Sequence, residues 1–496
     1  MGRALKPIPL RIALVFGLAS LGLAAWTALA QAPTTDQPWA YQLVSDSYLL
    51  DDCLICDRIP IQVPMRGQFN LRLVAVTPLV SQYALEDIHF SAGDQPYRVA
   101  GSGTFEIGGE LAVVLRMTLA LQIDDGFTNR FCSFTNITTT VDRPRPMLDV
   151  TLGQTNGTPA HVYTLRLAAA PVRDLWFSTV NFFTATAGPV ASNIVQGGDL
   201  ISTSGRVVKR NAQLYTSVGA MPPGPDLGLD AVDMLPGGEI AFSIGYDIVS
   251  ETLGPLQHGD LLSTQGRVIR RNQDLLASFG IQPSAPDVGL DAVHLLDSSE
   301  VLFSITASVF SEKLGATLQP GDLLSSAGLI IRSSQQLLAH FHPTNAISDY
   351  GLDALYVWPS GELWFSTQKG FQDAVLGPIA GGDLLSDQGY IAFRNADLVS
   401  AFVPTNAPAD IGLDALYVIT DATAPTPASQ LAIEFTRSSG SVTLTWRGQG
   451  RVFQVERADD LTGSFLPLSP ILPELVFEHP GALTNRAQSY YRLRQW

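Results

Sequence analysis

The residues of this chain best suited to chemistry are aspartates that return at a steady interval. Gly-Leu-Asp-Ala occurs four times and places Asp230, Asp291, Asp353 and Asp414 about 61 residues apart. A second mark, Gly-Asp-Leu, keeps the same step and carries Asp199, Asp260, Asp322 and Asp383. If the repeats close into a ring, equivalent residues circle one axis, and four clustered carboxylates raise one another's pKa. A hard cation with oxygen ligands, Ca²⁺ foremost, would relieve the repulsion among Asp230, Asp291, Asp353 and Asp414. The competing role is structural: each carboxylate accepts backbone N–H bonds and locks a turn. Presence in every unit favours that structural role, and for the Gly-Asp-Leu set it is stronger still.

Other chemistry is thin. The seven histidines share no repeat position and no metal-ligand spacing, although His340 and His342 could point to one side of a strand. No nucleophile elbow, zinc-protease helix or phosphate-binding glycine loop occurs. Four serines close the repeated Phe-Ser marks, whereas a nucleophile is needed once. Three cysteines remain, Cys53, Cys56 and Cys132. Cys53 and Cys56 have redox-motif spacing, yet Asp51, Asp52 and Asp57 beside them would raise a thiol pKa rather than lower it. A structural disulfide is the expectation, its pairing open among the three.

Elements that would position the aspartates can be parsed from each repeat, between about Asp174 and Asp421. Leu-Asp-Ala opens an apolar strand, a turn follows, and a second strand ends in Phe-Ser at Ser178, Ser243, Ser304 and Ser366. A variable loop leads to the Gly-Asp-Leu strand and a further strand. Leu275, Leu276 and Phe279, or Leu398, Val399 and Phe402, then show the spacing of one helical face. Stacking four such sheets about an axis buries both faces of each, so the expectation is a four-bladed β-propeller. The first unit lacks its Leu-Asp-Ala strand and the last ends on one, so the last strand would complete the first blade and remove an edge. The element order, with the Asp-Ala strand innermost, resembles the blades of hemopexin-like propellers. That resemblance implies ions in the channel, held mainly by backbone groups at the Asp-Ala position. The repeats are also similar to those of exported bacterial proteins bearing Phe-Ser and Asp-Ala marks.

Around this core the chain reads as all-β. Residues 36–170 alternate with period two, as in Phe69, Leu71, Leu73 and Ala75 and from Leu111 to Leu121, giving a sandwich or barrel of about eight strands. Residues 422–429 form a Pro-rich linker, and residues 430–496 look like a small fibronectin type III-like module. At the N-terminus Arg3, Lys6 and Arg11 precede an apolar run and Ala28-Leu29-Ala30, the marks of a signal peptide over residues 1–30; an uncleaved anchor is the alternative. No later segment could span a membrane as a helix. A net charge of −16 argues against nucleic acid as a partner.

The expectation is a secreted, periplasmic or cell-surface protein without catalysis, binding polysaccharide or protein through the propeller face. Trp176, Trp358 and Trp364 are its first candidates for stacking. A glycan-active enzyme with carboxylates at the channel mouth is the alternative, and a pure scaffold the third.

Overall fold

The computed structural model describes residues 37–496 except 94–96, 111, 191–192, 221–225, 282–286, 297–299, 346, 424–428, 437–439 and 483–488. The expected signal segment and most of the expected linker lie outside the described residues. The chain is all-β, its antiparallel sheets relieved only by short helices.

The first sheet is a closed ring. Its strands are β1 (Trp39–Leu43), β2 (Tyr48–Asp52), β3 (Ile61–Val76), β4 (Val80–Ala92), β5 (Tyr97–Gly108), β6 (Val114–Asp124), β7 (Asn129–Asn136), β8 (Leu148–Gln154) and β9 (Val162–Ala170). Strands β3 to β9 pair in sequence order, and both β1 and β2 pair with β3 and β9, so these two share one position of the ring. Of the two expected forms, sandwich or barrel, the closed ring is the barrel. Strict alternation explains its wall: on β6, Leu115, Met117, Leu119, Leu121 and Ile123 are buried while Arg116, Thr118 and Gln122 face outward. The alternation stops short of Val113, which is exposed. Tyr41 stacks on Phe69 at 5.2 Å within the filled interior. Cys53 and Cys56 are disulfide-bonded just after β2, and Cys132 is free and buried.

Four four-stranded sheets follow, alike in order. Each has an inner strand, Leu416–Thr420, Val232–Leu235, Val293–Leu295 or Leu355–Val357. In the first of these sheets, Leu416–Thr420, from the far end of the region, pairs with Val172–Phe177. The inner strands touch in a cycle: Val232–Leu235 meets Val293–Leu295 and Leu416–Thr420, and Leu355–Val357 meets the same two from the other side. The Phe-Ser serines join one sheet to the next. Ser178, Ser243, Ser304 and Ser366 donate to the carbonyls of Leu229, Leu290, Leu352 and Leu413, at 2.6, 3.1, 2.8 and 2.8 Å. What the sequence reads as a variable loop contains in three repeats a two-stranded hairpin, for example Ile248–Ser250 with Gly254–Leu256. Its strands are only three residues long, too short for a period-two pattern to emerge.

The last residues form two three-stranded sheets, Gln430–Thr436, Ser441–Arg447 and Val476–His479, and Leu466–Pro467, Phe453–Ala458 and Tyr490–Gln495. They pack directly on the four-sheet ring rather than standing off from it. Val452, Ile471 and Trp496 join the apolar core around Trp176, Met234 and Tyr417. The buried carboxylate of Asp421 gathers Arg173, Arg494, Trp496 Nε1 and the Ala40 N–H, so the barrel, first sheet and tail share one charged knot. Two nearby guanidinium groups hold its pKa below the usual range against the opposing effect of burial.

Candidate metal centre on the axis

Three sets of aspartates, each repeated in register, build the centre from the outside inward. In the Gly-Asp-Leu loop, Asp199 accepts the Gln196 and Asn211 N–H groups and an Arg210 ion pair at 2.6 Å. Asp260 and Asp383 repeat the arrangement with Arg271 and Arg394. These carboxylates tie a turn to the start of a short helix, the structural role expected of them. The glycine before each has no room for a side chain: at Gly198 a Cβ would run into Asn211 and Asp226.

A third aspartate set escaped the sequence reading although its signal was present. Each Gly-Leu-Asp-Ala is preceded by Asp-x, giving Asp226, Asp287, Asp349 and Asp410. Asp226 accepts the N–H groups of Gly198 and Gly228, and Asp410 those of Gly382 and Gly412. Asp287 and Asp349 accept the N–H groups of Gly289 and Gly351. The Gly-Leu-Asp-Ala glycines all lie in the left-handed region, at φ of 74°, 77°, 75° and 82°, which turns the next aspartate toward the axis.

Asp230, Asp291, Asp353 and Asp414 are therefore not the turn-locking residues. Among the described residues no backbone N–H donates to their carboxylates. Asp291, Asp353 and Asp414 each bring an oxygen within 4.8 Å of the other two, with the first two side chains buried. Asp230 stays outside that trio, close against Gly228 and Gly245, but its charge still acts on the other three. Burial, reinforced by neighbouring carboxylates, lifts the pKa of Asp230 and of Asp353 to about 7 and raises Asp291 and Asp414 strongly.

Two residues break the fourfold repetition here. Gln368, two residues after a Phe-Ser serine, donates its amide to Asp291 and lowers the pKa of Asp353 as well. His258 lies between Asp247 (Nδ1 to Oδ1, 2.9 Å) and Asp287 (Nε2 to Oδ1, 3.7 Å), and its charge opposes the upward shift of Asp230. Neither occupies a position that the repeat itself would single out.

Three residues further along, the inner strands carry Asp233, His294, Tyr356 and Tyr417. His294 Nδ1 lies 3.8 Å from Asp233, and the His294 and Tyr356 rings meet edge-on at 6.0 Å. Arg451 enters from the tail, 3.8 Å from Asp233, and its charge opposes the burial that raises both tyrosine pKa values. Trp176, Trp358 and Trp364 lie within the cores at 0–1% exposure, which removes them as stacking platforms for a ligand; Trp358 and Trp364 instead pack edge-on at 4.9 Å. His340 donates through Nδ1 to the Asp387 carbonyl and joins no ligand cluster among the described residues. No protein-family model matches this chain, and no curated protein matches it significantly.

Proposed function

We propose that this protein is an exported, non-catalytic binding protein whose four sheets are the blades of a β-propeller with Ca²⁺ held on the axis. The observation that carries this reading is the convergence of the Asp291, Asp353 and Asp414 carboxylates without backbone donors. Three like charges in a poorly solvated site need protons or a cation, and an all-oxygen set suits Ca²⁺ or another hard ion. The cation would lock the inner strands together, leaving the loops at the blade ends to meet polysaccharide or protein at the cell surface. Unfolding of the EDTA-stripped protein, repeated with calcium, tests the ion; calorimetric titration with Ca²⁺ gives the stoichiometry. Stabilisation by calcium supports the centre, and identical unfolding curves in calcium and EDTA overturn it. A glycan array in both conditions then tests the partner class.

The same cluster of Asp291, Asp353 and Asp414 carboxylates admits a second reading. A carboxyl titrating near pH 7 suits a general acid in glycan cleavage. Release of reducing ends from a polysaccharide panel, lost in Asp353→Asn, would favour the enzyme over the binding protein.

A further inference from the structure

A cleft of about 860 Å³ opens where the barrel, the first and fourth of the four-stranded sheets and the tail meet, with none of the axial aspartates in its lining. That volume lies within the ~300–1,000 Å³ of small-ligand sites, which favour such junctions. The strand position shared by β1 and β2 is interrupted at the cleft, where Ser45 bonds the Ala392 carbonyl through N–H and hydroxyl.

The lining inverts the charge of the molecule. It holds four arginines and two aspartates, in a chain with 30 basic and 46 acidic residues. Two of the arginines are committed elsewhere, Arg173 to Asp421 and Arg394 to Asp383. The other two are not saturated. Arg66 is 61% exposed and reaches Asp397 through one nitrogen at 2.7 Å. Arg206 donates one nitrogen to the Ile471 carbonyl and leaves its buried Nε without an acceptor. It forms no carboxylate ion pair among the described residues. Asp174, whose negative charge acts on it ahead of that of Glu474, is already engaged by Ser202 at 2.7 Å, Thr203 at 2.9 Å and Trp176 at 3.1 Å. The half-buried guanidinium faces the Trp176 ring at 5.8 Å but has no anion, which a ligand carboxylate would supply.

We infer that this cleft binds a carboxylated sugar, with Arg66 and Arg206 receiving the carboxylate. Guanidinium forks match a carboxylate in charge and geometry. The remaining lining supplies hydroxyls and amides, among them Ser204, Ser400 and Gln454, suited to sugar hydroxyls. The cleft does not depend on the axial ion, so its ligand should bind equally in calcium and EDTA.

The test is calorimetric titration of the whole secreted chain with trigalacturonate, a neutral glucose trisaccharide and a short polyglutamate peptide. Saturable, salt-sensitive binding of trigalacturonate alone is expected, with affinity at least tenfold lower in Arg66→Gln. Ser400→Trp, at an exposed rim position, should block the cleft without disturbing a core and abolish binding. Failure of trigalacturonate to bind, equal binding of the neutral sugar, preference for the peptide, or unchanged binding by Ser400→Trp would each overturn the inference. Failure here would leave the calcium response of the axis untouched, so the two proposals fall separately.

Discussion

Two levels, one just before the four inner strands and one within them, handle charge in opposite ways. At one level stand four copies of one residue, Asp291, Asp353 and Asp414 in contact range and Asp230 beside them, whose charges add and whose pKa values rise. Three residues further on, the repeats have diverged to Asp233, His294, Tyr356 and Tyr417, and Arg451 from the tail balances the single carboxylate. Repetition cannot supply its own counter-charge, because every copy carries the same sign. Compensation must come from a residue that breaks the symmetry, from another part of the chain, or from solution. Among the described residues Gln368 is the symmetry-breaking hydrogen-bond donor to the aspartate level and carries no charge, while His258 opposes the shift of Asp230 alone.

The largest effect is expected from removing the compensation where it is internal. Arg451→Met leaves buried Asp233 without its cation and should cost about 3 kcal/mol in urea unfolding. A negligible change would mean that His294 alone balances Asp233, and the contrast between the levels would weaken.

The aspartate level should respond to pH and calcium instead. Asp230 and Asp353 titrate near 7 in the folded chain against about 3.9 in the unfolded one. Their raised values mean that, in EDTA, stability from these groups is full below about pH 4 and lost as pH rises through about 7. Calcium at a hundredfold excess over its Kd should restore about 2.7 kcal/mol above that range. The double variant Asp291→Asn/Asp353→Asn should lose the calcium gain and flatten the pH dependence. Unfolding measured across pH 4–8, with and without calcium, reads both. A smaller effect, about 1 kcal/mol in EDTA at pH 8, is expected for Gln368→Leu, which takes away the one amide donor.

How much of this was legible in the sequence follows from the same logic. The 61-residue step, the short strands and the helix faces mark every copy, so repetition exposes the four sheets even though each strand is only a few residues long. The barrel strands were legible for another reason: β6 alternates over its full length, a pattern that survives without repetition. The Asp226, Asp287, Asp349 and Asp410 set was visible but overlooked beside the louder mark two residues later. Gln368, His258 and Arg451 were not legible, because each occurs once and matters only through a neighbour brought from elsewhere in the chain. The docking of the tail was hidden for the same reason, resting on pairs such as Lys209 with Glu474 and Arg494 with Asp421.

Even the well-satisfied Gly-Asp-Leu level has one imperfect copy, and it offers the finest test of the comparison. In the third repeat the Arg-Asn pair is replaced by Ser333 and Ser334, so Asp322 keeps only the Gln319 and Ser334 N–H bonds. Burial pushes its pKa up, and a backbone bond from Leu352 to the Pro320 carbonyl closes the loop in place of the asparagine. Asp260, with Arg271 at 2.6 Å, has the full set. Because the Arg271 side chain is 40% exposed, solvent screens that ion pair and limits its contribution. Asp260→Asn should therefore cost only about 0.5–1 kcal/mol more than Asp322→Asn, measured by urea unfolding of the two variants side by side. Equal costs would show that the arginine positions the loop without stabilising it. Compensation from within the repeat would then be as weak at this level as it is on the axis.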